Sequence, residues 1–386
     1  MRHFDFLTEA QHAQLFRRPP TAFDPAAAES DLLATALGAT LYLPATRPTL
    51  AHDIVRQAAH GVTSVVICLE DAIADGEVAR GEANLVAQVH RCAVEASRLP
   101  MIFVRVRRPA QIASVVDSLG PRAAVVTGFV LPKFSAEFGP AFLDELVKAA
   151  DRLGRRLFAM PVLETPAMAH LETRREALLR ARAVTDAYRA CVLAVRVGAT
   201  DLLSAFGLRR SRELSVYGVR LVADVIADIV NVFGRAADGF VVTGPVWEHF
   251  GRAERLFKPL LRESPFHRHA DRQLRADLID AGLDGLIREV ELDRANGLLG
   301  KSVIHPTHIA PVHALSVVSS EEYTDAADIL ATASRGGATG SAYRNKMNES
   351  KPHAAWARRT LLRAEAFGVA RDEVSFVDFL DAGRAP

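Results

Sequence analysis

The residues of this 386-residue chain whose types could do chemistry fall at the ends of short apolar runs. Glu70 and Asp71 close the run SVVICLE (64–70), and Arg105 and Arg107 close MIFVRV (101–106). Lys133 follows AVVTGFVLP (124–132), Glu164 and Thr165 end LFAMPVLE (157–164), Asp201 follows CVLAVRVG (191–198), and His305 lies in SVIHP (302–306). An unpaired charge is costly to remove from water, so carboxylates gathered beside arginine and lysine compensate one another or bind a cation. Glu164 and Asp201, from neighbouring runs, offer two hard oxygen ligands, a set that suits Mg2+ with the other positions left to water and substrate. The histidines show neither HxxxH nor HExxH spacing, which leaves zinc without its usual ligands. The alternative reading of the same residues is a structural ring of ion pairs.

Something must bring these residues together. From about residue 41 the chain alternates β-rich runs with longer amphipathic stretches, the pattern of βα units on a parallel sheet. With LYLP (41–44) and DGFVVTG (238–244) the runs number eight. Val65 to Leu69 are continuously apolar, as a strand covered on both faces requires. Helices are expected between the runs, for example at Ala79–Ala96, Ala141–Leu153, Ala167–Arg182 and Val216–Phe233. The span from about 41 to 315 approaches the ~250 residues of a (β/α)8 TIM barrel, and an open doubly wound sheet has fewer strands. The fold class is therefore α/β, a TIM barrel at 39–315. An N-terminal extension at 1–38 precedes it, and a small C-terminal helical lid or oligomerisation segment at 316–386 follows. In such a barrel the C-terminal strand ends share one mouth, which is where the ionisable residues lie.

Composition narrows the partners. Lys and Arg number 47 against 46 Asp and Glu, a net charge of +1, which argues against a nucleic-acid binder and makes any anion site local. No apolar run has the length of a signal peptide or a membrane helix, so a cytoplasmic protein is expected. Three scattered cysteines form no disulfide framework, and Cys68 and Cys191, within strands, read as core packing. No GxxxxGK[ST] or GxGxxG loop is present.

Seven motifs occur in one order: LYLPATRP, VVICLEDAIADGEVARGEA, FVRV, LPK, PVLETP, VGATDLLSAFG and GKSVIHPTHI. Together they resemble the HpcH/HpaI aldolase/citrate lyase superfamily, in its carbon–carbon bond lyase TIM-barrel branch, over about residues 40 to 330. The resemblance implies a Mg2+ enzyme that makes or breaks a carbon–carbon bond beside a carbonyl. It makes Glu164 and Asp201 the metal ligands and Arg105 the group at the substrate carboxylate or carbonyl. Glu70 and Asp71 would organise metal-bound water and the basic groups, and Lys133, Thr165 and His305 would line the mouth. A trimer or hexamer is implied, with tails crossing between subunits and Glu349 or Asp325 as candidate bases.

The chain departs from the pattern in places. Gly38 and Ala39 stand where relatives carry an arginine before the first strand, a role that Arg47 is the candidate to take. Arg107 adds charge near the mouth. Arg209, Arg210, Arg212 and Arg220 are either a solvated face or a phosphate or polycarboxylate site. The tail is basic, with Arg344, Lys346, Lys351, Arg358, Arg359 and Arg363, which fits either a lid over the mouth or a helix docking on a second subunit. The leading expectation is a Mg2+-dependent lyase or condensing enzyme for an anionic β-hydroxy acid or its CoA ester. The alternatives are a class II aldolase for pyruvate-derived or sugar-phosphate aldols, and a non-catalytic metal- and anion-binding partner.

Overall fold

The eight apolar runs become eight parallel strands that close in sequence order into a barrel in the computed structural model, which describes residues 1–95, 98–251, 257–266 and 269–383. The strands are β1 (Ala39–Pro44), β2 (Ser64–Cys68), β3 (Met101–Arg105), β4 (Val126–Leu131), β5 (Phe158–Leu163), β6 (Ala194–Val197), β7 (Val241–Trp247) and β8 (Lys301–Val303). β8 pairs with β1 through Lys301 and Ala39, which completes the ring. The helices run at Val78–Glu95, Gly139–Leu153, Leu171–Ala187 and Arg220–Phe233, near their expected places; Ala96 lies outside the described residues.

Alternate residues of each strand fill the interior, among them Val66, Phe103, Val130, Met160, Val162 and Ala194, and the intervening ones pack under the helices. β7 runs three residues past its expected end. Gly244 pairs with Lys301 and Trp247 with Val303 across a shift of register, and Pro245 falls in that irregularity, where its missing N–H costs no ladder bond.

The two ends of the chain form one layer at the bottom of the barrel. Strand Phe16–Arg18 pairs antiparallel with Val369–Ala370. Phe367, the last residue of helix Ser350–Phe367, packs with Leu33, Ala36 and Leu37 against Met101 and Phe158, which start their strands. The tail thus closes the face opposite the mouth. This corrects its reading as a lid over its own barrel: Phe367, Ala366 and Leu362 pack in the bottom layer, Ala357 and Leu361 pack on helix Ser320–Thr332, and Trp356 is exposed. The segment after Thr332 forms a short hairpin, Ala338–Gly340 with Met347–Glu349. Asp325, a candidate base, is fully buried behind it and accepts from Ser341, Asn348 and Lys346.

Candidate active site

Strand alternation decides which side chains reach the mouth. Met101 and Phe103 face inward, so Arg105 does too; Phe158, Met160 and Val162 face inward, and Glu164, one residue beyond β5, follows them. Arg105 Nη2 lies 2.7 Å from Glu70 Oε2, 3.1 Å from Glu164 Oε1 and 3.4 Å from Asp71 Oδ2. Lys133 Nζ lies 2.5 Å from Glu70 Oε1, 3.3 Å from Asp71 Oδ2 and 3.8 Å from Asp201 Oδ1. The Lys133 amide donates to Glu164 Oε1 at 2.9 Å from a left-handed backbone, φ +47°, which costs a residue with a side chain on the order of 1 kcal/mol. Residues from the exits of five strands therefore meet in one cluster.

The cluster is short of positive charge. Four carboxylates, Glu70, Asp71, Glu164 and Asp201, face two cations, Arg105 and Lys133. Burial lifts the Glu164 carboxyl to about 7; Asp201 and Glu70 push the same way, against Arg105 and the Lys133 amide. Burial likewise raises Glu70, and the surrounding carboxylates hold Lys133 and Arg105 in their charged forms despite desolvation. Among the described residues no three acidic, histidine or cysteine side chains already form a metal cage. Glu164 and Asp201 are instead a hard oxygen pair with unbalanced charge beside it, a donor set that fits a divalent cation completing its sphere with water and substrate.

Other candidates lie elsewhere. Arg107 holds the loop after β2, donating to the carbonyls of Leu69, Glu70 and Ile73 and pairing with Asp75. Arg47 is bound to Asp53 at 2.5 Å. His305 stacks on Phe250, ring centroids 4.5 Å apart, and bonds Thr307. The Thr165 hydroxyl is buried at the β5 exit without a hydrogen-bond partner among the described residues. Arg209 is exposed, but its neighbours disperse: Arg210 is buried against Glu289 and the Val246 carbonyl, and Arg220 pairs with Asp224 along its helix. The arginine cluster is thus no single anion site. Cys68 and Cys191 are thiols that burial raises, and His313 accepts from the Ala39 amide at the bottom of the barrel.

Four residues escaped the sequence reading. Gly198 lies against the Glu164 carboxylate, where an added β-carbon would stand 2.0 Å from Oε2. Glu248 follows β7 and accepts from Thr200, the neighbour of Asp201, at 3.0 Å; ending that strand at Gly244 hid it. Arg196 and Tyr42 face each other inside the barrel, the guanidinium 5.5 Å from the ring centre. Inward alternation from Ala194 was the signal for Arg196. Gly38 has φ +55° with His313 against it, so an arginine there would be strained.

A closed (β/α)8 barrel with acidic and basic groups converging on its mouth has the architecture of a TIM-barrel enzyme. Residues 31–369 match the family model described as C-C bond lyase of the TIM-barrel fold, and the chain belongs to that family. Carbon–carbon lyase chemistry is the class that this membership carries. Among solved structures, the protein CitE from Mycobacterium tuberculosis, in complex with magnesium, acetoacetate and coenzyme A, is similar at 21% identity. The match covers 86% of this chain and 99% of that one, with a TM-score of 0.53. A magnesium/glyoxylate complex of malate synthase from Haloferax volcanii is similar at 15% identity, over 71% of this chain and 73% of that one, with a TM-score of 0.50. At these identities the likeness is one of fold. No curated protein matches the chain in sequence. Among the described residues no helix is long and apolar enough to cross a membrane.

Proposed function

We propose that this protein is a Mg2+-dependent carbon–carbon lyase, or the reverse condensing enzyme, acting on a β-hydroxy acid or its CoA thioester. The observation that carries the reading is Arg105 Nη2 fixed between Glu70 and Glu164, with Asp201 across the same mouth. Cleavage beside a carbonyl leaves an enolate, and Arg105 sets positive charge where that oxygen becomes negative. Glu164 and Asp201 would hold Mg2+, which when bound supplies Lewis-acid stabilisation of the same charge. Lys133 stays charged and fixes Glu70 and Asp71 around the arginine. The unpartnered Thr165 hydroxyl is free to bond a substrate oxygen. Similar folds that hold magnesium with acetoacetate and coenzyme A, or with glyoxylate, support a small carbonyl acid as the ligand class. Asp325 is fully buried and held by Ser341, Asn348 and Lys346, so a base from the tail would be the exposed Glu349 of a second copy in a homo-oligomer. Dispersal of the Arg209 to Arg220 cluster leaves the phosphate-binding aldolase without its anion site.

The test is Mg2+-dependent deuterium exchange from pyruvate and from acetyl-CoA, followed by proton NMR. Exchange from at least one, lost in Glu164→Gln and Arg105→Met, is expected. Exchange from neither favours a non-catalytic binding protein.

A further inference from the structure

Among the described residues Arg196 is a buried cation with no carboxylate against it. It is 1% exposed, and among the described residues its polar contacts are neutral: Nη2 donates to Ser302 Oγ at 2.7 Å, and Nη1 lies 3.4 Å from Thr40 Oγ1 and 3.6 Å from Met160 Sδ. Its Nε has no hydrogen-bond partner among the described residues. Thr243, its register neighbour on β7, has a buried hydroxyl that is also unpartnered. Two orphaned polar atoms in one layer mark a place built for something to bond there. A buried charge is costly unless paired: burial pushes the Arg196 pKa down, Tyr42, which also hydrogen-bonds it, opposes this, and like-charge repulsion from Arg105 adds to the burial effect. Among the described residues only neutral groups, Tyr42, Ser302 and Thr40, offset that cost.

The layer lies directly beneath the mouth. Arg196 stands two residues before Gly198, which abuts Glu164, and it pairs in register with Val162, two residues before Glu164. Tyr42 and Ser302, which touch Arg196, are half-buried rather than fully enclosed. Because Ser302 accepts from Arg196, its own O–H is left to donate.

We propose that Arg196, Ser302 and Tyr42 form a carboxylate-binding floor beneath Arg105, so that the substrate is a dicarboxylate whose second carboxylate is held there. This rests on the mouth being the substrate site. Planar guanidinium and hydroxyl donors suit a carboxylate, and an anion at this depth neutralises the cation that the barrel leaves unpaired.

The experiment is calorimetric titration of the Mg2+-loaded protein with malate and with lactate, which differ by one carboxylate. Wild type should bind malate tighter by at least about tenfold, the worth of a charge-assisted hydrogen bond. Arg196→Met and Ser302→Ala should erase the difference while lactate affinity holds, Arg196→Lys should keep part of it, and Arg196→Met should not lower Tm, since it removes an unpaired buried charge. Equal affinities in wild type would overturn the proposal. So would an Arg196→Met variant that melts lower and binds both acids equally weakly, which would make the cation structural with only water beside it. Should Arg196→Met not fold, Ser302→Ala and Tyr42→Phe carry the same comparison. Malate discrimination that depends on Arg196 without any deuterium exchange would sink the lyase reading and leave the floor site standing.

Discussion

Gly198 and Glu164 fit together because one of them has no side chain: a β-carbon on the glycine would stand 2.0 Å from Oε2 and 2.4 Å from Cβ of the glutamate. Neither atom has room to retreat, since Glu164 is 3% exposed and tied at Oε1 to Arg105 and to the Lys133 amide. Gly198→Ala should therefore displace the carboxylate and weaken Mg2+ binding at least about tenfold, with the fold intact by circular dichroism. Unchanged affinity would show that Glu164 is not held by this contact.

Arg105 is the cation that bridges Glu70 and Glu164, at 2.7 and 3.1 Å. Arg105→Met should lower kcat by roughly 10²- to 10³-fold, as losing a group aimed at developing negative charge does. Arg105→Lys should recover little, because the ammonium on its shorter stem does not reach the point where Nη2 meets both Glu70 and Glu164. Recovery of most of the activity by lysine would reduce the role of Arg105 to that of a point charge.

Phe367 is fully buried at the bottom of the barrel. Phe367→Ala should cost about 3–5 kcal/mol of stability, read from chemical denaturation, without changing Mg2+ affinity. A variant of normal stability with altered metal binding would place the tail at the mouth.

His3 and His313 meet edge to face beneath the barrel, ring centroids 4.7 Å apart. Burial lowers His3 to about 4 and His313 well below its ordinary range. Unfolded, both titrate near pH 6.5, so between about 6.5 and 4 the unfolded chain binds protons that the folded chain refuses. Their stabilising effect is complete above pH 6.5 and is lost as the pH falls, by up to about 1.4 kcal/mol per unit for each histidine. Denaturation midpoints measured across this window should fall less steeply for His313→Gln than for wild type, and an equal slope would assign the acid sensitivity to other groups.

Much of this was legible in the sequence, and the part that was not has physical causes. Apolar runs marked all eight strands, and strand ends marked Glu70, Asp71, Arg105, Lys133, Glu164 and Asp201, which the fold brings together. Strand-end position does not fix where a loop side chain turns. Arg107 and Arg47 go to a backbone loop and to Asp53, and Arg210 goes into the helix layer. Arg196 sits within a strand, one layer under the mouth, where attention to exits alone passes over it. The tail's place at the bottom depends on contacts of Phe367 with residues more than 300 positions away, such as Leu33 and Leu37, which no local pattern encodes.

The central claim is that Glu164 and Asp201 hold a divalent metal beside Arg105. Its most direct test is calorimetric titration of Mg2+ into the wild-type protein and into Glu164→Gln and Asp201→Asn. The account predicts a single site per chain in the wild type that is lost in both variants while their folds persist. Binding of Mg2+ with wild-type affinity in either variant would contradict it.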